Sequence, residues 1–179
     1  KLEDYSGYVF NPAKLPNSDH HVVLSANGNV FISFIVIGDE ITFTEVKELK
    51  GIKIINISGT WMHCFAVSDS GQVYENDYIN LYEPTKAFTI IKSLKKYKII
   101  SAYTGLNHSF FITNNQKVIG YGKNTFCQLL LKNKISKSDE IDINSPVEIM
   151  KNAFLCIAGR NLSAIIIGKD DNPEIKQKR

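Results

Sequence analysis

If any side chains in this sequence do chemistry, they are three histidines, His20, His63 and His108, each at the head of a β-forming run. Two of them stand beside a nucleophile type, as His63-Cys64 and His108-Ser109. A base and its thiol or hydroxyl must come within hydrogen-bond reach to work as a pair. Neighbours in a strand point to opposite faces of the sheet, so neither pair is placed for it. A metal would need ligands converging from distant parts of the chain, because no short-spaced His or Cys pair anchors a site. Gly122-Lys123-Asn124 echoes the end of a phosphate-binding loop but lacks its upstream glycine spacing and the hydroxyl after lysine. The Asn-x-Ser/Thr triplets at Asn56, Asn107 and Asn161 carry no weight without a secretory signal. No catalytic residue, metal ligand or cofactor is expected, and the chain does not read as an enzyme.

What the histidines do share is a register. His20 precedes Val30 by ten positions, His63 precedes Val73 by ten, and His108 precedes Val118 by ten. Gly28 and Gly71 both fall eight positions after their histidine, where the third copy has Gln116. Ala26-Asn27-Gly28-Asn29 and Asp69-Ser70-Gly71 are hairpin signals between β-rich runs. A residue that recurs in this way behaves as part of a structural unit. A fourth unit runs from Phe154-Leu155-Cys156-Ile157-Ala158-Gly159 through Leu162 to Ile167, then gives way to polar residues from Lys169. The unit starts near 20, 63, 108 and 162 are spaced at the period of stacked or radial repeats, and an all-β unit points to a propeller. The near-continuous apolar runs Phe65-Ala66-Val67 and Phe110-Phe111-Ile112 suit sheets buried on both faces. No segment has a convincing helical period, although 90–97 allows a turn or two. Tyr8-Val9-Phe10 reads as one short strand, and 132–145 as a long irregular loop.

The whole chain, 1–179, therefore reads as one repeat array. At 179 residues, 44% hydrophobic and 22% charged, it can bury a real core. A net charge of +3 exerts no strong pull on nucleic acid or membrane. The longest apolar run, Val30 to Ile37, is too short to cross a bilayer. Three cysteines without a CxxC spacing fit free thiols, and no signal-peptide core is visible. An intracellular location is expected, nuclear or cytoplasmic, with an organelle left open.

Gly105-Leu106-Asn107-His108, the turn that follows, and Gly120-Tyr121-Gly122-Lys123-Asn124-Thr125-Phe126-Cys127-Gln128-Leu129 resemble one repeat of the RCC1 (regulator of chromosome condensation) family. The family pattern is a Gly-x-x-His strand, a turn glycine, and a Gly-x-Asn-x-x-Gly-Gln-Leu-Gly segment. Here Cys127 and Leu130 replace two of its glycines, and Trp61-Met62 leaves one extra residue between Gly59 and His63. The resemblance implies an all-β, RCC1-type propeller of which about three to four blades are present, out of the seven of family members. It makes His20, His63, His108, Gly28, Gly71, Gly105, Gly122, Asn124 and Gln128 structural repeat positions. The remainder of the ring would come from the same chain or from another subunit.

The resemblance also implies a partner-binding rim at the residues just before each histidine: Asp19, Trp61, Met62, Asn107 and, in the fourth unit, Arg160. Family members that exchange nucleotide on a Ran-type GTPase carry acidic residues there, and here Asp19 alone is acidic. The function expected is a non-enzymatic protein-interaction scaffold. Its alternatives are a guanine-nucleotide exchange factor for a Ran-like small GTPase and a structural subunit of a large ribonucleoprotein or organellar assembly. Lys92, Lys95, Lys96 and Lys98 form a basic cluster. It is read first as a solvated face; contact with RNA, DNA or an acidic partner is the sharper alternative.

Overall fold

A computed structural model describes residues 21–36, 40–60, 63–77, 87–131 and 146–168. The chain folds as four antiparallel sheets in sequence order. The first holds β1 (His21–Leu24), β2 (Val30–Val36) and β3 (Glu40–Glu45). The second holds β4 (Ile54–Gly59), β5 (His63–Ser68), β6 (Val73–Asp77) and β7 (Thr89–Ile90). The third holds β8 (Ile99–Thr104), β9 (His108–Thr113), β10 (Val118–Gly122) and β11 (Val147–Met150), and the fourth β12 (Ala153–Ala158) and β13 (Ser163–Ile167). The only helical elements among the described residues are two 3-10 turns, Lys47–Leu49 and Lys92–Leu94. The all-β expectation holds.

Each sheet is a meander, and its hairpins form where the turn chemistry said. Gly28 and Gly71 both sit at φ +86°, where a side chain is strained. At Gly71 an added Cβ would also fall 2.9 Å from Lys98 Cα. Gln116 takes the same left-handed position at φ 61° without being glycine, at a cost on the order of 1–2 kcal/mol. A hydroxyl five positions after each histidine closes the turn. The amides of Asn29, Gln72 and Lys117 donate to Ser25 Oγ, Ser68 Oγ and Thr113 Oγ1 at 3.0–3.1 Å.

The histidine positions open the second strand of a sheet. The second, third and fourth sheets begin at Ile54, Ile99 and Ala153, each nine residues earlier. Those three amides make one repeated bond: Ile54 N donates to Gly28 O (2.9 Å), Ile99 N to Gly71 O (3.1 Å) and Ala153 N to Gln116 O (3.1 Å). Each bond pins the hairpin turn of one sheet to the start of the next. Farther along, Ala102 N donates to Asn56 Oδ1 (2.8 Å) and Thr104 N to Ser58 Oγ (3.0 Å). First strands of neighbouring sheets therefore run parallel, side by side.

The core lies between sheets. On β5, Cys64 and Ala66 pack toward the first sheet with Val22, Leu49 and Phe88. Phe65 and Val67 of the same strand pack toward the third sheet with Ile99, Phe111 and Tyr121. On β9, Phe111 faces back into that layer, while Phe110 and Ile112 face the fourth sheet with Leu129 and Cys156. Alternation thus serves two cores at once, which is why these strands read as continuous apolar runs. All six residues of β9 are buried, whereas three of the five in β13 are exposed and none is buried. All three cysteines are unpaired; burial pushes the Cys64 thiol up to about 12, so it is inert.

Candidate functional site: the two ends of the sheet array

Every first strand runs from one end of the array to the other. At its far end it turns into the second strand through a short loop. Thr60 N donates to His63 O (2.8 Å), Gly105 N to His108 O (2.8 Å) and Gly159 N to Leu162 O (2.8 Å). Thr60 therefore occupies the place of Gly105, and the loop before His63 has the same length as the others. The extra residue expected there disappears: the glycine, Gly59, has moved one position back along β4.

Adjacent loops of this rim touch, since Leu106 N donates to Gly159 O at 3.0 Å. That contact brings the half-buried Asn107 and the exposed Arg160 to one end of the array. Gly105 is fitted tightly there; a Cβ would meet Gly159 O and lie 2.5 Å from His108 Cε1. Asn107 O accepts from Lys123 N (2.8 Å), and Gly122 lies against that same carbonyl. Asp19, His20, Trp61 and Met62 lie outside the described residues, as do Tyr8-Val9-Phe10, the 132–145 loop and the chain beyond Gly168.

His108 is 1% exposed, and its Nε2 lies 2.7 Å from Ser163 Oγ on the next sheet. Its Nδ1 is buried without a partner among the described residues. A buried N–H without an acceptor costs more than an idle lone pair. The proton therefore sits on Nε2 and is donated to Ser163. Burial, with His63 nearby adding repulsion, holds the imidazole down to about 4 from 6.5, so it is neutral at pH 7. His63 packs at 5.6 Å from the Phe65 ring. The hydroxyl that His108 meets, Ser163 Oγ, accepts from it and is not activated as a nucleophile. Among the described residues no group of His, Cys, Asp or Glu could hold a metal.

Asn124 and Gln128 are both 3% exposed and hold their own loop. Asn124 Oδ1 accepts from Leu129 N and Gln128 Oε1 from Phe126 N, each at 2.8 Å. Cys127 and Leu130 stand at φ 58° and 60°, the left-handed conformation that glycine favours. The two glycines of the repeat pattern are thus replaced in sequence but not in conformation.

The near end carries a feature that the sequence reading saw by half. The segments Val46-Lys47-Glu48-Leu49-Lys50-Gly51-Ile52-Lys53 and Ile91-Lys92-Ser93-Leu94-Lys95-Lys96-Tyr97-Lys98 are 45 positions apart and match in their lysines and in Leu49 and Leu94. The second segment stands out in the sequence as a lysine cluster, whereas the first is marked only by its matching positions. The signal was the shared spacing. All seven lysines are exposed.

No family model matches this sequence, and no curated protein matches it. Solved structures do. Prp20p from Saccharomyces cerevisiae, described with its binding properties to Gsp1p and histones, superposes at TM-score 0.65 and 14% identity, over 88% of this chain and 44% of that one. Human WBSCR16 superposes at TM-score 0.63 and 16% identity, over 83% of this chain and 42% of that one. Yeast RCC1 (Prp20) bound to Kap60 does so at 0.62 and 15%, over 88% and 42%. This chain spans less than half the length of each. At such identities the likeness speaks for the fold, and the fold is that of an RCC1-type β-propeller, with the four sheets as its blades.

Proposed function

From a row of RCC1-type blades, we propose that the chain is a non-enzymatic interaction scaffold. One observation carries this: the outer face of the fourth blade is apolar and is covered by no described residue. Leu155, Ile157, Leu162 and Ile166 are exposed on it, Leu162 to 78%. Contiguous apolar patches of this kind mark interaction sites. On the second and third blades the equivalent face is covered by the first strand of the next blade. The occupant we assign is a further blade of the same type. The matched structures, of which this chain covers 42–44%, have room for several. The rim residues Asp19, Trp61, Met62, Asn107 and Arg160 are proposed to bind a protein partner, and His20, His63 and His108 to be structural. The protein is placed inside the cell on the same reading.

The purified 179-residue chain should self-associate through this face. Ile157→Glu with Leu162→Glu should return it to a monomer in light scattering on a sizing column. A wild-type chain that is monomeric at all concentrations would count against the uncovered face as a binding surface.

The exchange reading draws on the likeness to Prp20p, described by its binding to Gsp1p. Against it stands the chemistry of the rim, where Asp19 is the one carboxylate beside Trp61, Met62, Leu106, Asn107, Arg160 and Asn161. The scaffold reading expects no change in the release of labelled GDP from a Ran-type GTPase on adding the protein. Acceleration by tenfold or more would replace it with the exchange reading.

A further inference from the structure

The two lysine segments lie at the end of the array opposite the rim, because Lys53 and Lys98 directly precede the first strands β4 and β8. Both are tied to the hairpin turn of the preceding blade: Lys53 Cγ lies 2.9 Å from the Cβ position of Gly28, and Lys98 Cγ 2.7 Å from that of Gly71. Asp69 N donates to Lys53 O (2.9 Å) and Asn114 N to Lys98 O (2.8 Å). Connecting segments and hairpin turns of three consecutive blades thus form one band. Segments 46–53 and 91–98 bring to it seven lysines and a single acid, Glu48.

Little of this charge is spent internally. Lys50 reaches Glu45 at 3.8 Å, and Lys96 lies over the Tyr97 ring at 5.0 Å. Lys47, Lys53, Lys92, Lys95 and Lys98 make no ion pair with any described residue. By contrast Lys117, in the third blade's hairpin turn, is held by Glu148 at 2.8 Å and its charge is spent there. Surface lysines scattered for solubility would not keep one register in two blades.

We propose that this band binds the phosphate backbone of a nucleic acid without regard to sequence. This goes beyond the scaffold reading and stands on a different surface. The choice of nucleic acid over an acidic protein follows from what the band lacks. Protein interfaces centre on aromatic and apolar anchors and are depleted in lysine. Here Val46, Leu49, Ile91 and Leu94 are buried, with Ile52 and Tyr97 half-buried, so the two segments turn outward seven lysines, Glu48 and Gly51, and no large apolar side chain is exposed on them. An ammonium is a compact point charge that suits phosphate oxygens and reads no base edge. Side chains repeated by the blade spacing would track a charged strand running across the blades.

Binding of fluorescein-labelled oligo(dT) and oligo(U), about 20 nucleotides long, is measured by anisotropy across a salt series with the purified protein. If the band neutralises about five phosphates, affinity falls on the order of a hundredfold between 50 and 200 mM salt. Replacing Lys92, Lys95, Lys96 and Lys98 by alanine should lower the slope of log K against log salt by about 3. The same four positions as arginine should keep it, and Lys123→Ala, at the opposite end, should leave it unchanged. Because the four lysines are exposed, their loss should leave the unfolding midpoint in place, so lost binding is not lost folding. No binding at 50 mM salt, or an unchanged slope in the quadruple alanine variant, overturns the proposal. Displacement of the oligonucleotide by polyglutamate at equal charge concentration also overturns it, in favour of an acidic protein. Self-association through the fourth blade is unaffected in every arm, so the two readings fail separately.

Discussion

Phe111→Ala is expected to destabilise the chain by about 3–5 kcal/mol, the usual cost of emptying an aromatic site in a packed core. Phe111 is fully buried and contacts two rings edge-on: Phe65 of the preceding blade at a centroid distance of 5.2 Å, and Tyr121 of its own blade at 5.9 Å. Phe65 and Tyr121 also meet, at 6.2 Å. The three rings close the layer between the second and third blades, and neither sheet can shift to refill the space while hairpin and first strand are bonded at Ile99. Against a total stability of roughly 5–15 kcal/mol such a loss is a large share. Urea unfolding should show the midpoint falling with little change in slope. Ile166→Ala, on the uncovered face, should move it by less than about 0.5 kcal/mol. Equal costs at the two positions would mean that the interface between blades is not where stability resides.

The second large effect is a pH dependence that one residue should supply. Folded, His108 titrates near 4; unfolded, near 6.5. Between those values the unfolded chain takes up a proton that the folded chain refuses. Stability is therefore at its full value above pH 6.5 and falls on acidification, by up to about 1.4 kcal/mol per pH unit, until the folded group itself titrates. From pH 7 to pH 5 the expected loss from this group is about 2 kcal/mol. His108→Gln keeps a donor for Ser163 Oγ and has nothing to protonate. Whatever its stability at pH 7, its decline from pH 7 to 5 should be shallower than that of the wild type by about 2 kcal/mol. Parallel declines would show that the imidazole is solvated or charged in the folded protein.

Much of this fold could be read from the residues. The hairpins at Gly28 and Gly71 were legible because left-handed turns select glycine, and the third unit because its buried Asn124 and Gln128 have few substitutes that could satisfy the same amides. Legibility failed where conformation outlived its usual residue. Gln116, Cys127 and Leu130 hold left-handed backbone without being glycine, and Thr60 fills the loop position of Gly105, which made one loop look too long. Leu162 stands where the other units have histidine, yet β12 and β13 pair as their counterparts do, because strand pairing rests on the backbone. The surfaces were harder. Core positions answer to neighbours in the same chain, so periodicity exposes them. A rim residue such as Asn107 or Arg160 answers to a partner that the sequence does not contain. The lysine band lies between these cases: its repeat is present in the sequence, but exposed lysines in polar connecting segments answer to no core neighbour, so no hydrophobic period marks them.

The bond repeated at Ile54, Ile99 and Ala153 has a consequence for how the chain holds together in time. Each blade is coupled to its nearest neighbours only, so stability behaves as a one-dimensional sum of unit and interface contributions. Such a chain has no single keystone. Order can begin wherever two adjacent blades meet and spread outward like a zipper, with the second and third blades the natural seed because both have all four strands. Among the described blades, the first and fourth touch one neighbour each, and in this chain they are the last teeth to close and the first to open. The same bond explains how the repeats can drift in length and lose histidine or glycine one at a time. A coupling that passes through a carbonyl and an amide makes no demand on the side chain.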